Sequence, residues 1–381
     1  MTTHRAIVDG LTRASANGES VVLATVVRVT GSSYGGVGAR MLIRGDGSTV
    51  GLVSGGCLES DLAEHARRVH EGGRAEVVRY DTRDDDDAPW GLGLGCNGLI
   101  DVLLEPLPPA RANYLAKLID RALRADKPSV LTTVIKTRES EGAPGIGAHA
   151  LIIGNRIEKT GGWGTGDILA KATSDTNEVF TAGRRGLVRE FGGVEAAYEV
   201  LTPAVPLVIC GSGPDVVPLA RLGTELGWTV TVVDHRPFDQ SHASRYPGAR
   251  IVEAPEAAEL GEAVTLNERT AAVVMSHNLA RDTDYVGALL AANVAYIGVL
   301  GPRGRTEKML SDLASRSSEP LENAVRLFAP VGMDIGGDGP DAIALAIVAE
   351  ISAVVNQRAG GHLRDKKGPL HERSADRAIE R

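Results

Sequence analysis

Three cysteines in a chain of 381 residues are too few, and an odd number, for a disulfide framework. Their spacing fits no zinc motif, and the clusters that hold iron–sulfur centres are missing. Any cysteine chemistry is therefore that of a free thiol. A basic surplus is missing as well: 41 Lys and Arg stand against 49 Asp and Glu, a net charge of −8, which argues against non-specific nucleic-acid binding. No apolar run approaches the length of a membrane span, and the opening Met-Thr-Thr-His-Arg-Ala-Ile has no basic flank followed by a long apolar core. The expectation is a cytoplasmic protein with neither nucleic acid nor membrane among its partners. The acidic run from Asp84 to Asp87 lacks the alternation of an EF-hand loop and reads as a solvated loop tip.

What is present is an ordinary globular share of apolar residues, 43%, and 46 glycines that cluster in particular loops rather than forming a repeat. The chain is too long for one ordinary core. Thr202-Pro-Ala-Val-Pro206 is the best linker, which gives an N-terminal domain over 1–201, a second over 202–359 and a charged, mobile tail over 360–381. The fold class expected is α/β: a mixed N-terminal domain, then a Rossmann-like, doubly wound parallel sheet.

That second domain rests on one stretch. Leu207 to Cys210 reads as a buried strand, Gly211 and Gly213 as a turn, Asp215 to Leu226 as a helix, and the apolar run after Gly227 as a strand ending at Asp234. Gly211 lets the chain leave the strand sharply, and Gly213 lets backbone amides approach a phosphate at a helix N-terminus. Asp234 stands about 20 residues on, where a carboxylate commonly accepts from a ribose hydroxyl. Val216 replaces the third small residue of the fingerprint, and Asp215 would repel a phosphate. Further strands end at Ser276-His277-Asn278 and at Gly301-Pro-Arg303-Gly-Arg305. Ligands of open parallel sheets bind beyond the strands' carboxyl ends, so Gly211, Gly213, Asp234, His277 and Arg303 are expected at one edge. Arg303 and Arg305 could clamp phosphate oxygens, and His277 could act as acid or base; a hydrogen-bonded structural histidine is the equal alternative.

In the first half, Ser54-Gly55-Gly56-Cys57 precedes a helix whose Leu58, Leu62, Ala66 and Val69 recur at helical spacing. A thiol at a helix N-terminus has a lowered pKa and is a better nucleophile or soft-metal ligand, and flanking glycines leave room for a bulky ligand. Cys57 is thus the candidate for chemistry and for a metal. Cys96, in Gly91-Leu-Gly-Leu-Gly-Cys96, is either a second ligand or a small packed residue. Cys210, inside a strand, reads as core.

Gly31-Ser-Ser, Gly38-Ala-Arg-Met-Leu42, Ser54-Gly-Gly-Cys-Leu-Glu59 and Gly93-Leu-Gly-Cys96 resemble the N-terminal domain of the XdhC/CoxI accessory proteins of molybdenum hydroxylases. The Rossmann stretch, Val274-Met-Ser-His-Asn278, Tyr296-Ile-Gly-Val-Leu-Gly301 and Pro330-Val-Gly-Met-Asp-Ile-Gly336 look like the family's C-terminal domain. The resemblance implies a protein that binds the molybdenum cofactor, as molybdopterin or its dinucleotide form. It would hold the cofactor while a cysteine desulfurase helps install the sulfido ligand, then deliver it to a xanthine dehydrogenase-type hydroxylase. It also implies Gly55, Gly56, Cys57 and Cys96 as cofactor contacts, with Cys57 on the molybdenum; a homodimer is expected. The sequence departs from the family pattern at Tyr34-Gly-Gly-Val37 and in Gly211-Ser-Gly-Pro-Asp215. The other reading, from a different class, is a nicotinamide-dependent oxidoreductase using NAD(P) on the Rossmann domain. Residues 111–200 carry no recognised motif.

Overall fold

The structure, a computed structural model, describes residues 2–31, 35–56, 58–81, 98–138, 143–160, 162–163, 167–181, 186–254, 256–316 and 325–366. Cys57 and Cys96 lie outside the described residues. The chain divides at Pro203 and Ala204 into two compact units.

The first unit opens with α1 (Thr2–Ala16), β1 (Val21–Gly31), β2 (Arg40–Ile43), β3 (Thr49–Gly51), α2 (Glu59–Gly72), β4 (Glu76–Asp81) and β5 (Gly98–Leu107). It continues with α3 (Pro109–Arg124), β6 (Ser129–Thr137), β7 (His149–Ile153), β8 (Arg156–Lys159), α4 (Asp167–Thr181), β9 (Gly186–Phe191) and β10 (Val194–Leu201). The strands form two antiparallel sheets, ordered β3-β2-β1-β5-β4 and β8-β7-β6-β10-β9. Helix and strand order in the second half therefore repeats the first, element for element. This corrects the expectation that the glycines form no repeat: Gly36-Val-Gly-Ala39 and Gly145-Ile-Gly-Ala148 occupy the same place in the two halves. The hydrogen bonds repeat too, with Gly38 N to Val26 O matched by Gly147 N to Val134 O, and Ala39 N to Gly36 O by Ala148 N to Gly145 O. Substitution elsewhere has hidden the duplication, because strands need only an apolar pattern and not particular residues.

Helices α1 and α3 supply one shared core. Ile7, Val8, Leu11 and Ala14 pack with Leu115, Leu118, Ile119 and Ala122 from helical spacing in each. The helix α3 begins at Pro109, because proline fits the first helical position, where no amide donor is needed. Pro106 lies inside β5; β4 pairs only with Leu99 to Leu104, so no neighbour on that side needs its missing N–H.

The second unit runs β11 (Pro206–Cys210), α5 (Val216–Glu225), β12 (Thr229–Asp234), α6 (Gln240–Ala243), β13 (Arg250–Glu253), α7 (Leu260–Ala263), β14 (Ala271–Val274), α8 (Leu279–Ala291), β15 (Tyr296–Val299), α9 (Arg303–Arg316), β16 (Leu327–Phe328) and α10 (Pro340–Val355). All six strands are parallel, in the order β13-β12-β11-β14-β15-β16. Alternate residues feed two cores. Leu207, Ile209 and Val232 pack with Leu219 and Ile347 on one face; Val208, Cys210 and Val233 pack with Val286 and Leu289 on the other. Helices thus cover both faces, the doubly wound arrangement expected. Winding proceeds from β11 outward to β13 and then returns to β14 on the other side, so the topological switch falls between β11 and β14.

Candidate functional site

The carboxyl edge of β11 and β14 gathers most of the residues expected there. Gly211 leaves the strand at φ 129°, and a Cβ on it would lie 2.7 Å from the Met275 carbonyl oxygen, so only glycine lets the two strand ends come this close. Tyr246 Oη donates to the Ser212 carbonyl at 2.7 Å. Across a trans peptide the N–H points opposite to the C=O, so the Gly213 amide faces away from Tyr246. His277 holds the left-handed conformation, φ 62°, and its Nε2 lies 2.7 Å from Asp215 Oδ2. The imidazole is largely exposed, while the carboxylate is mostly covered. The acid at the helix start is thus paired with the expected histidine, across the glycine turn.

Asp234 ends β12 as expected, but it is buried, and both its oxygens are engaged within the protein. Ser212 Oγ donates to Oδ2 at 2.6 Å, Arg236 Nη2 to Oδ2 at 3.0 Å, and the Arg236 amide to Oδ1 at 2.9 Å. Burial alone would raise this carboxyl, yet the Arg236 and Ser212 hydrogen bonds outweigh it and hold the pKa at about 2. Sequence reasoning missed Arg236, whose exposed guanidinium stands just after the acid; the signal was available, since an arginine at that position serves a phosphorylated ribose. Arg303 is exposed as the first residue of α9. Arg305 instead turns to the buried Asp282, Nη2 to Oδ2 2.5 Å, whose other oxygen accepts from the Ser276 amide and hydroxyl. It is a brace between β14, α8 and α9. Cys210 is fully buried, and burial pushes its thiol up, as a core residue's should be.

In the first unit, two glycine segments approach each other. A Cβ on Gly35 would lie 2.2 Å from the Val53 carbonyl oxygen, and one on Gly51 2.3 Å from that of Arg40. Gly56 has φ 108° and open space where a Cβ would be. Ser54 is fixed by Glu59: its amide donates to Oε1 at 2.8 Å, its hydroxyl to Oε2 at 2.5 Å, and Ser54 Oγ accepts from the Leu58 amide at 3.1 Å. Burial pushes Glu59 upward, but the Ser54 bonds prevail and keep it below the usual carboxylate range. Glu59 thereby closes the Ser54 to Leu58 turn. Gly55 and Gly56 are exposed within that turn.

A parallel sheet with a glycine turn at its switch point, preceded by a duplicated antiparallel unit with converging glycine loops, defines a two-unit α/β protein of the Rossmann class. Residues 207–351 match the XdhC Rossmann domain and residues 14–81 the XdhC and CoxI family, and the chain belongs to that family. It is 32% identical over 334 residues to a Bacillus subtilis protein named as a probable xanthine dehydrogenase component, across 87% of this chain and 92% of that one. It is 24% identical over 352 residues to the molybdenum cofactor insertion chaperone PaoD of Escherichia coli, across 92% of this chain and 88% of that one. A crystal structure described as a xanthine dehydrogenase from Bacillus halodurans superposes with a TM-score of 0.72 at 29% identity, covering 93% of this chain and 96% of that one.

Proposed function

We propose that this protein is a molybdenum cofactor chaperone. It binds the cofactor, holds it while a cysteine desulfurase supplies the sulfur of its terminal sulfido ligand, and inserts it into a xanthine dehydrogenase-type hydroxylase. The observation that carries this reading is the meeting of the segments at Gly35 and Val53, where only glycine fits. The Gly56 position beside them has open space for a bulky ligand, and a relative of nearly equal length is named an insertion chaperone. Cys57, which follows Gly56 directly in sequence, supplies a soft thiolate to a thiophilic metal, with Cys96 as the second thiol. Molybdopterin also carries a phosphate, for which glycine-turn amides are suitable donors. The protein works in the cytoplasm as a homodimer.

The test is a client hydroxylase produced with the wild-type chaperone, with the Cys57→Ser variant, or with none. The expected result is an active client in the first case, and in the other two a client whose cofactor lacks the sulfido ligand. Full client activity with Cys57→Ser would assign this cysteine to packing alone.

A second reading, NAD(P) binding on the Rossmann unit, is favoured by the glycine turn and by Arg236 beside Asp234. Fluorescence titration with NADH and NADPH separates the two, since a chaperone without nicotinamide chemistry leaves both spectra unchanged.

A further inference from the structure

The two halves of the first unit correspond residue by residue through their strand registers. Val22, Leu23, Ala24 and Thr25 face Ile43, Leu42, Met41 and Arg40; Val130, Leu131, Thr132 and Thr133 face Ile152, Leu151, Ala150 and His149. Both long ladders shift register at the same place, around Val27 in β1 and Ile135 in β6. Leu23 faces Glu105, and Leu131 faces Glu199. Arg40 is therefore the counterpart of His149, and Glu105 of Glu199.

These four side chains pair across the halves, not within them. Arg40 Nη1 donates to Glu199 Oε1 at 2.8 Å while its Nη2 reaches Oε2, and His149 Nε2 lies 2.9 Å from Glu105 Oε1. Every member is buried. Each glutamate also fills the space beside a glycine of the other half: a Cβ on Gly38 would fall 2.2 Å from Glu199 Oε1, and one on Gly147 2.8 Å from Glu105 Oε1. The exchange is that of a two-fold pair of protomers joined into one chain.

What hangs on the two arms differs. The Arg40 carbonyl receives the Leu52 amide and abuts Gly51, and the chain then passes Val53, against Gly35, into Ser54-Gly-Gly56. The His149 carbonyl likewise receives the Thr160 amide, but three residues beyond Thr160 stands Trp163, buried in the apolar core of its own half, where the first half, three residues beyond Leu52, has the exposed Gly55. One pair underlies a pair of open glycine loops, whereas its twin underlies a plug.

We infer that Glu199, contributed by the half without cysteines, is a positioning residue for the glycine loops of the other half, acting through Arg40. The Glu105–His149 pair is its structural twin without that role. The link to cofactor rests on the proposed function; the link to loop geometry does not.

The twin supplies the control. Full-length Glu199→Gln and Glu105→Gln are compared with wild type by hydrogen–deuterium exchange and by molybdopterin content, after production in cells that make the cofactor. In Glu199→Gln, amides of 35–40 and 51–56 should exchange about tenfold faster, and bound cofactor should fall to about a third or less. In Glu105→Gln the faster exchange should centre on 145–149, leaving the first-half loops and the cofactor content as in wild type. Arg40→Lys keeps the charge but loses the two-pronged grip, so it should give an intermediate effect if Glu199→Gln folds poorly. Equal opening of the first-half loops by both glutamine variants would overturn the inference, as would undisturbed loops, or full cofactor content, in Glu199→Gln. A wild-type protein without cofactor would instead refute the chaperone reading, and exchange would still decide the positioning role.

Discussion

Individual carboxylates hold the two candidate regions in shape, and their ionisation sets testable pH limits. Asp234 ionises near 2 in the folded chain against a reference of 3.8, so the ionised form stabilises the fold by about 2 kcal/mol above pH 4, and that is lost as pH falls toward 2. Asp234→Asn should flatten the acid limb of stability measured by urea unfolding between those values. His4 shows the opposite demand. Burial first and the Arg40 charge second hold it at about 4, so it stays neutral and its Nδ1 accepts from Arg40 at 3.4 Å. Its protonation in the unfolded chain draws stability away as pH drops from 6.5 to 4, a slope that His4→Gln should remove. Asp234 and His277 were legible in the sequence because each ends an apolar run. Glu59 as the clasp of Ser54, and Asp215 as the partner of His277, were not legible, since a hydrogen bond between two polar residues leaves no periodicity. Glu59→Ala should remove the acceptor that the Ser54 amide and hydroxyl share, and cost about 1–2 kcal/mol in thermal unfolding.

At the level of elements, strands were easier to read than helices. The buried runs of β11, β12 and β14 are nearly continuous, and the stripe of α2 is regular, so each stands in the structure close to its expected place. The helix α9 went unread because only Thr306 and Met309 are buried along it, too few for a stripe. The helix α8 starts at Leu279, where Asn278 caps it by accepting from the Arg281 amide, a signal that lies in one side chain and not in a periodic stripe. The turn between β11 and α5 is the element least tolerant of change. Gly211→Ala places a methyl against the Met275 carbonyl at a φ that L-residues avoid, and should destabilise the second unit by about 2–3 kcal/mol in chemical denaturation. Gly56→Ala has open space and strain from φ alone, so its cost should be about 1 kcal/mol.

The whole molecule joins a duplicated antiparallel unit to a doubly wound parallel one. The parallel unit was legible from strand–helix alternation; the duplication was not, because its two halves share a short glycine motif and a hydrogen-bond frame rather than a sequence. In the first half that frame carries an open glycine loop next to a cysteine, and in the second a tryptophan buried in the core. The central claim is that the molecule carries molybdenum cofactor in its first unit. The most direct measurement is molybdenum and pterin per chain in protein purified from cells that make the cofactor, for wild type and Cys57→Ser side by side. The account predicts both components in a fixed ratio on the wild-type chain, and their loss from Cys57→Ser without loss of fold. A wild-type chain that emerges without molybdenum or pterin while its client is active would contradict it.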